Sequence, residues 1–97
     1  LAREVEDGKI ENVFRLQVTN TAEETRRFAL GVSGLDKIDL ASDRMVEVPS
    51  ATTRSVIARV VAPGDSAGQG SHQIFFEVKA TEHQDVFVRE KASFLLP

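Results

Sequence analysis

Alternation between apolar and polar side chains is the feature that most constrains how this chain can fold. Successive residues of a β-strand point to opposite faces of a sheet, so a period of two predicts a strand with one buried face. In the stretch 10–19 the residues on one side are Ile10, Phe14, Leu16 and Val18. Those on the other side are Glu11, Arg15, Gln17 and Thr19. Asn12 and Val13 break the alternation, which predicts a bulge or a strand edge at that point.

Six further segments show similar patterning, separated by turn residues at intervals of roughly 8–12 residues. The predicted strands are Ile10–Thr19, Arg26–Ser33, Lys37–Leu40, a short strand at Val46 and Val48, Thr53–Ala62, Gln73–Ala80 and Asp85–Phe94. β-Branched residues are concentrated in these segments, and they lose side-chain freedom in a helix. Apolar residues on both faces of Thr53–Ala62 predict a central strand, or one that is partly covered on its outer side.

The connections between these segments are too short for the crossovers that parallel neighbours require, so the strands are expected to be antiparallel. Residues 20–24 are predicted to form a loop in which Asn20 makes an Asx turn. Residues 63–71 contain three glycines and a proline, and they predict a flexible hairpin loop. The fold class that follows is an all-β, immunoglobulin-like antiparallel β-sandwich of about seven strands, in a single domain spanning residues 1–97.

Composition excludes several classes of function. A net charge of −3 and the absence of a basic cluster argue against nucleic-acid binding. The absence of cysteine excludes a disulfide, a thiolate metal site and an iron–sulfur cluster within this segment. No apolar stretch of these residues approaches the roughly 20 residues of a membrane span, and none shows the pattern expected of a signal peptide. Because the sequence begins at Leu1 and not at methionine, we expect a fragment of a longer protein.

The two histidines are the only neutral nitrogen ligands available to a metal ion. A site would need His72 and His83 together with a carboxylate such as Glu82 or Asp85. At about 3.3 Å per residue along one strand, the two histidines are expected to lie too far apart to share an ion. Solvated loop histidines are therefore the favoured interpretation. A weak copper-binding role through His72, His83 or Met45 is a third-ranked hypothesis.

Other groups that could carry chemistry are interpreted as ordinary surface and turn residues. The adjacent carboxylates Glu23 and Glu24, and the pair Glu4 and Glu6, are expected by chance among fifteen acidic residues. The three glycines Gly64, Gly68 and Gly70 are followed neither by Lys-Ser/Thr nor by a helix, so they do not predict a phosphate-binding loop. No catalytic, cofactor-binding or metal-binding residue is predicted. Phe75 or Phe87 marks a partner surface if exposed, and otherwise packs under a loop.

Two segments of the chain resemble a known family. The stretch Gly8–Asn20 reads Gly-Lys-Ile-Glu-Asn-Val-Phe-Arg-Leu-Gln-Val-Thr-Asn, and it is followed by Phe28-Ala-Leu-Gly-Val-Ser-Gly-Leu35. An ending with Phe94 and Pro97 adds to the pattern. These features are similar to the C-terminal immunoglobulin-like domain of the FixG (CcoG, RdxA) family, the cytochrome c oxidase accessory proteins. The resemblance covers most of the chain, and its first half is the more specific.

The resemblance implies a setting and a role. Members of that family are polytopic membrane proteins with ferredoxin-like iron–sulfur cysteines, implicated in assembling cbb-type cytochrome c oxidase and in handling copper. The resemblance implies that this domain lies on the periplasmic side of a bacterial inner membrane, as part of the parent protein. It also implies that the iron–sulfur clusters belong to the rest of the parent protein and not to this domain. None of the redox residues of the family has a counterpart here. The matching residues are interpreted as structural, and they are Asn12, Phe14, Leu16, Asn20 and Gly34.

We therefore expect a non-catalytic accessory domain that contacts a protein partner, such as an oxidase subunit or a copper carrier, with the membrane involved only through the parent chain. The alternative is a purely structural spacer or stability module without a partner of its own. Charge reversal of outward-facing residues distinguishes the two, because a binding domain should have a single sensitive face. The residues for such a scan are Arg15, Arg27, Arg59, Lys79 and Arg89.

Overall fold

Eight strands account for most of the computed structural model, which describes residues 2–83 and 85–97. They are β1 (Ala2–Glu4), β2 (Lys9–Asn20), β3 (Arg26–Ser33), β4 (Asp39–Leu40), β5 (Met45–Val48), β6 (Thr52–Pro63), β7 (Gly70–Ala80) and β8 (Phe87–Leu96). A single 3₁₀ turn at Glu6–Gly8 joins β1 to β2. The described part of the chain contains no helix with the length and apolar character needed to cross a membrane.

The strands form two four-stranded sheets in which every pairing is antiparallel. Sheet A has the order β1-β2-β6-β4, and sheet B has the order β5-β3-β7-β8. The predicted all-β antiparallel sandwich is therefore confirmed, with one strand more than the seven that alternation indicated. The additional strand is β1, whose sequence Ala-Arg-Glu is too short to show a periodic pattern.

Most connections cross from one sheet to the other. Among the strands described, only β1–β2 and β7–β8 are consecutive neighbours in one sheet. The prediction that residues 63–71 form a hairpin loop is wrong, because β6 belongs to sheet A and β7 to sheet B. Loop composition indicates flexibility but contains no information on which sheet the next strand joins. The amide of Gly64 donates to the carbonyl of Gly8, which ties this crossing to the β1–β2 turn.

The core lies between the inner faces of the two sheets. Its fully buried members are Val48, Ala58, Val60, Ala62, Ile74 and Phe94. Phe14 of sheet A meets Phe76 of sheet B edge to face, with ring centroids 5.1 Å apart. β6 lies between β2 and β4, as its two-sided apolar pattern predicted. Burial of these aliphatic and aromatic side chains is the main favourable term in folding, at about 25 cal/mol per Å² of apolar surface.

The break in alternation at Asn12 and Val13 is not a bulge, but it does mark the point where β1 ends and β2 becomes the edge of sheet A. The β2–β6 register is continuous from Lys9 opposite Pro63 to Asn20 opposite Thr52. The side chain of Asn12 lies on the core side of sheet A and is buried, whereas that of Val13 lies on the outer side and is exposed. The alternation of faces is thus intact along β2, and only the polarity of the residues departs from it.

Asn20 closes β2 with the predicted Asx turn. Its side-chain oxygen accepts the backbone N–H of Ala22 at 2.9 Å. Its amide nitrogen lies within hydrogen-bonding distance of three carbonyls, those of Glu24, Val48 and Pro49. Asn20 therefore fixes the β2–β3 connection to the end of β5, and its 2% exposure is compatible with a fully satisfied polar group.

Several strand ends differ from the predicted bounds. β4 contains only Asp39 and Leu40, because Lys37 has a positive φ of 58° and belongs to the preceding turn. β8 begins at Phe87, two residues later than predicted. β7 begins at Gly70, inside the stretch that glycine content predicted as loop. Strand ends of this kind depend on the partner strand, which local composition does not define.

Candidate functional site

The histidines and the methionine that could bind copper lie apart. His72 lies near the start of β7, and His83 follows the other end of that strand. Met45 lies in β5, two strands away in the order of sheet B. Across the described residues, no group of three or more His, Cys, Asp or Glu side chains is arranged to hold a metal ion.

Each histidine has a local partner instead. The Nε2 atom of His72 forms a hydrogen bond with the carbonyl of Gly68. The Nε2 atom of His83 lies 3.9 Å from Oε1 of Glu24, and the same carboxylate lies 4.0 Å from Arg26. These three side chains border a small cavity of about 100 Å³ between the β2–β3 and β7–β8 connections. Glu24 is largely exposed, so the pair amounts to a weak surface contact.

The remaining carboxylates singled out in the sequence do not form a catalytic pair. Glu23 is exposed in the turn after β2, and Glu4 and Glu6 are exposed on either side of Val5. Two carboxyl groups that act as acid and base require different surroundings, and each member of these pairs is exposed to solvent.

One charged cluster was not apparent from the sequence. Alternation predicts Glu11 on the outward face of β2, and it does lie there, but only 3% of its surface is exposed. Arg3 on β1 covers it at 3.0 Å, and Arg59 on β6 approaches its second oxygen at 3.8 Å. A carboxylate buried between two guanidinium groups is compensated and has a structural role. The signal that could have identified it, an arginine directly opposite, requires the strand pairing of Arg3 with Glu11.

The glycine-rich connection and Phe75 have structural surroundings, whereas Phe87 is exposed. A Cβ atom at Gly64 would lie 3.1 Å from the carbonyl oxygen of Gly8, so a larger residue there would require the two loops to move apart by a few tenths of an ångström. Phe75, on the outer face of sheet B, is half-buried beneath Arg89, whose guanidinium carbon lies 4.1 Å from the ring centroid. Phe87 on the same face is 48% exposed. Phe87 is therefore the phenylalanine with a surface available to a partner.

An apolar concavity lies between β2 of sheet A and β8 of sheet B. We refer to it as the β2–β8 groove, and it has a volume of about 370 Å³. Its lining residues are Arg15, Leu16, Gln17, Val18, Thr19, Phe28, Phe76, Val78, Val86, Val88 and Glu90. Seven of these eleven residues are apolar and the one carboxylate is that of Glu90, a lining typical of a binding surface.

Comparison with known proteins places these features in context. The whole chain, residues 1–97, matches the family described as "IG-like fold at C-terminal of FixG, putative oxidoreductase". No curated protein matches the sequence. Among solved structures, a FixG-related protein from Vibrio parahaemolyticus superposes with a TM-score of 0.81 at 16% sequence identity, covering 98% of this chain and 90% of that one. At this identity the superposition establishes the shared fold.

An extracellular fragment of EsaA from Streptococcus gallolyticus also matches, with a TM-score of 0.46 at 19% identity, over 98% of this chain and 26% of the other. A similarity of that size supports no argument about this chain. The family match, in contrast, extends over every residue and agrees with the two-sheet architecture. This chain belongs to the family of immunoglobulin-like domains found at the C-terminus of FixG.

Proposed function

We propose that this chain is a non-catalytic accessory domain of a FixG-like membrane protein, and that it supports assembly of cbb-type cytochrome c oxidase and copper handling through protein–protein contact. The observation that carries the proposal is the family match over residues 1–97. In this proposal the domain lies on the periplasmic side of the bacterial inner membrane. Its partner is an oxidase subunit or a copper carrier, and electron transfer belongs to the rest of the parent protein.

Two features of the described residues favour contact over chemistry. Their potential metal ligands are dispersed, and the carboxylates singled out in the sequence are exposed to solvent. The outer surfaces, however, present large apolar side chains at 42–49% exposure, among them Val13, Ile57, Phe87 and Leu95. In this proposal one of these outer faces supplies apolar contacts to the partner, and the charged residues around them form the rim of the interface.

The decisive experiment compares deletion of the domain from the parent protein with its replacement by an unrelated domain. One strain carries the parent with residues 1–97 removed, and a second carries an unrelated β-sandwich of equal length in their place. Assembled oxidase is measured by the haem spectrum of isolated membranes, with parent protein level as the control. We expect assembly to be lost in both strains, because a partner surface is missing from both. If the unrelated sandwich restored assembly, the domain would instead be a structural spacer.

Charge reversal then locates the contact. Arg15 lies on the outer face of sheet A, whereas Lys79 and Arg89 lie on that of sheet B. Reversal to Glu on one of these faces is expected to reduce recovery of the partner in a pull-down by about tenfold. Reversal on the other face is expected to leave recovery unchanged. Arg59 is unsuitable for this scan, because its reversal would leave the buried Glu11 facing a negative charge. Equal tolerance on both faces would argue for the spacer.

Location has its own test. The chain contains no cysteine, so Ser93→Cys on the exposed surface of β8 introduces a single thiol into the domain. In intact cells this thiol is expected to react with a membrane-impermeant maleimide. The unsubstituted domain is the control for background labelling. Labelling of Ser93→Cys only after cell lysis would contradict the periplasmic location.

A further inference from the structure

The β2–β8 groove marks the place of a strand that the described chain does not fill. β1 pairs with residues 10–12 of β2, and no described strand pairs with that edge of β2 from Val13 to Asn20. Facing this edge, Val88 of β8 pairs with Val78, which pairs with the buried Leu30. Val88 therefore has a core-side position in the register, yet 49% of its surface is exposed. The core is open along this side.

The unpaired edge of β2 offers backbone hydrogen-bonding groups toward the groove. The amide of Val5 donates to the carbonyl of Lys9, so the backbone groups of Lys9 point away from β6. Because such groups alternate along an antiparallel strand, those of Arg15, Gln17 and Thr19 point the same way. All three residues line the groove. Hydrogen-bonding groups beside an apolar floor are the features that a β-strand satisfies when it adds to a sheet edge.

We propose that the β2–β8 groove binds an extended segment of the partner protein, which adds to sheet A beside β2 as a continuation of the position held by β1. This inference rests on the proposed function of protein contact and names the chemistry of the partner. The inward side chains of the segment are apolar where they lie over Val78, Val86 and Val88, and polar or basic where they meet Glu90 at the side of the groove. At least one outward side chain is acidic, because Arg15 at the rim has no ion pair among the described residues.

The charge at the rim favours a different protein over a second copy of this chain. A second copy pairing through the same edge would present Arg15, Gln17 and Thr19 on its solvent face, and none of these is acidic. A partner strand with alternating apolar and acidic residues satisfies the floor, the backbone groups and Arg15 together. Main-chain hydrogen bonds then provide affinity, and the alternate side chains provide specificity.

A displayed library of random ten-residue peptides tests this proposal with the 97-residue chain as target. The Gln17→Pro variant is used for counter-selection, since proline removes the edge-facing N–H and is tolerated at a sheet edge. We expect enriched sequences that alternate apolar and polar residues and contain an acid. The enriched peptide should slow amide hydrogen exchange at Arg15, Gln17 and Thr19, measured by NMR.

Two matched pairs of variants make the test specific, each checked for folding by its NMR spectrum. Val88→Asp places a charge in the groove, and Phe87→Asp places one on the opposite face at nearly the same exposure, 48% against 49%. Gln17→Pro removes an edge amide of β2, and Lys91→Pro removes one from the free edge of β8. We expect Val88→Asp and Gln17→Pro each to weaken peptide binding by about tenfold or more. Both control variants should bind the peptide as tightly as the unsubstituted 97-residue chain does.

Three outcomes would overturn the proposal. The first is that no peptide is enriched over the Gln17→Pro counter-selection. The second is loss of binding in Lys91→Pro but not in Gln17→Pro, which would place the added strand beside β8. The third is a dimer in sedimentation that Gln17→Pro abolishes, which would make a second copy the occupant. Failure here is distinguishable from failure of the proposed function, because the domain-replacement experiment reads oxidase assembly and involves no peptide.

Discussion

Single residues with unusual surroundings determine how the strands of this domain end. Asn20 closes β2 through hydrogen bonds to its own turn and to the end of β5. Gly34 ends β3 with a φ of 122°, a conformation that other residues rarely adopt. A Cβ atom at Gly34 would lie 2.9 Å from both the carbonyl oxygen of Gln73 and the Cα atom of Ile74. These contacts are with backbone, so the structure cannot relieve them by moving a flexible side chain.

Gly34→Ala is therefore expected to destabilise the domain by about 2–4 kcal/mol, through backbone strain and overlap with β7. The measurement is the free energy of unfolding from urea denaturation followed by circular dichroism. Gly68→Ala is the matched control, because no atom lies within 4 Å of the position that the added methyl group would occupy and its φ is not in the positive region. A change at Gly34 no larger than at Gly68 would contradict the steric argument.

At the scale of elements, the shortest strand is held by a charged side chain. β4 has only two residues, Asp39 and Leu40, and pairs with Val61 and Val60 of β6. The carboxylate of Asp39 accepts hydrogen bonds from Arg44 at 2.8 Å and from the backbone N–H of Leu40 at 2.9 Å. These two bonds, with Arg44 the larger effect, hold the pKa of Asp39 below its usual value. Arg44 thereby links β4 to the start of β5.

Arg44→Gln should raise the pKa of Asp39 toward its usual value, measured by carbon NMR of the carboxyl group during a pH titration. The sign follows from linkage: a carboxyl whose pKa is lowered by folding contributes stability above its unfolded pKa and loses it as pH falls through the folded value. The contribution of Arg44 to stability is thus expected at neutral pH and absent in acid. It is expected to be small, because both side chains are more than half exposed. Lys91→Gln, on the far sheet, should leave the Asp39 titration unchanged.

At the scale of the whole molecule, a buried amide joins the two sheets where their edges meet. Asn12 of sheet A donates from its side-chain nitrogen to the carbonyl of Leu95 at 3.1 Å, and accepts the N–H of Leu95 at 2.9 Å. This pair of bonds resembles one rung of a β-ladder, made by a side chain. It closes the sandwich beside β1, whereas the same side of the molecule is open further along, at the β2–β8 groove. The molecule is elongated, 44 Å by 20 Å by 18 Å, so the two regions are separated along its length.

Asn12→Ala is expected to lower the free energy of unfolding by about 1–3 kcal/mol, because two hydrogen bonds are lost at a buried position. Amide hydrogen exchange distinguishes loss of these specific bonds from global destabilisation. The N–H of Leu95 is bonded to Asn12 and not to β7, so its exchange should accelerate far more than that of Phe94. Gln73→Ala, at an exposed position of β7, should change neither quantity. Equal acceleration at Leu95 and Phe94 would show global destabilisation without the specific bond.

Much of the fold was predictable because strand faces depend on nearest neighbours. β3 was predicted with its observed bounds, and β2, β6 and β7 to within three residues at either end. The Asx turn at Asn20 was predictable for the same reason, since the bond spans two residues. Local patterning did not predict β1, because three residues are too few to show alternation. It also did not predict the start of β7, which depends on a distant strand. No catalytic or metal site was predicted, and the groove was not foreseen.

The sequence by itself determined the class of fold and the face of nearly every strand residue, because alternation is a property of the extended chain. Only the tertiary structure decided which strands pair, that residues 63–71 cross between sheets, and that Glu11 and Asn12 are buried with partners from β1, β6 and β8. The physical reason is the same in each case. Hydrogen bonds and ion pairs between strands join residues up to 83 positions apart, and their partners are defined only when the two sheets have packed together.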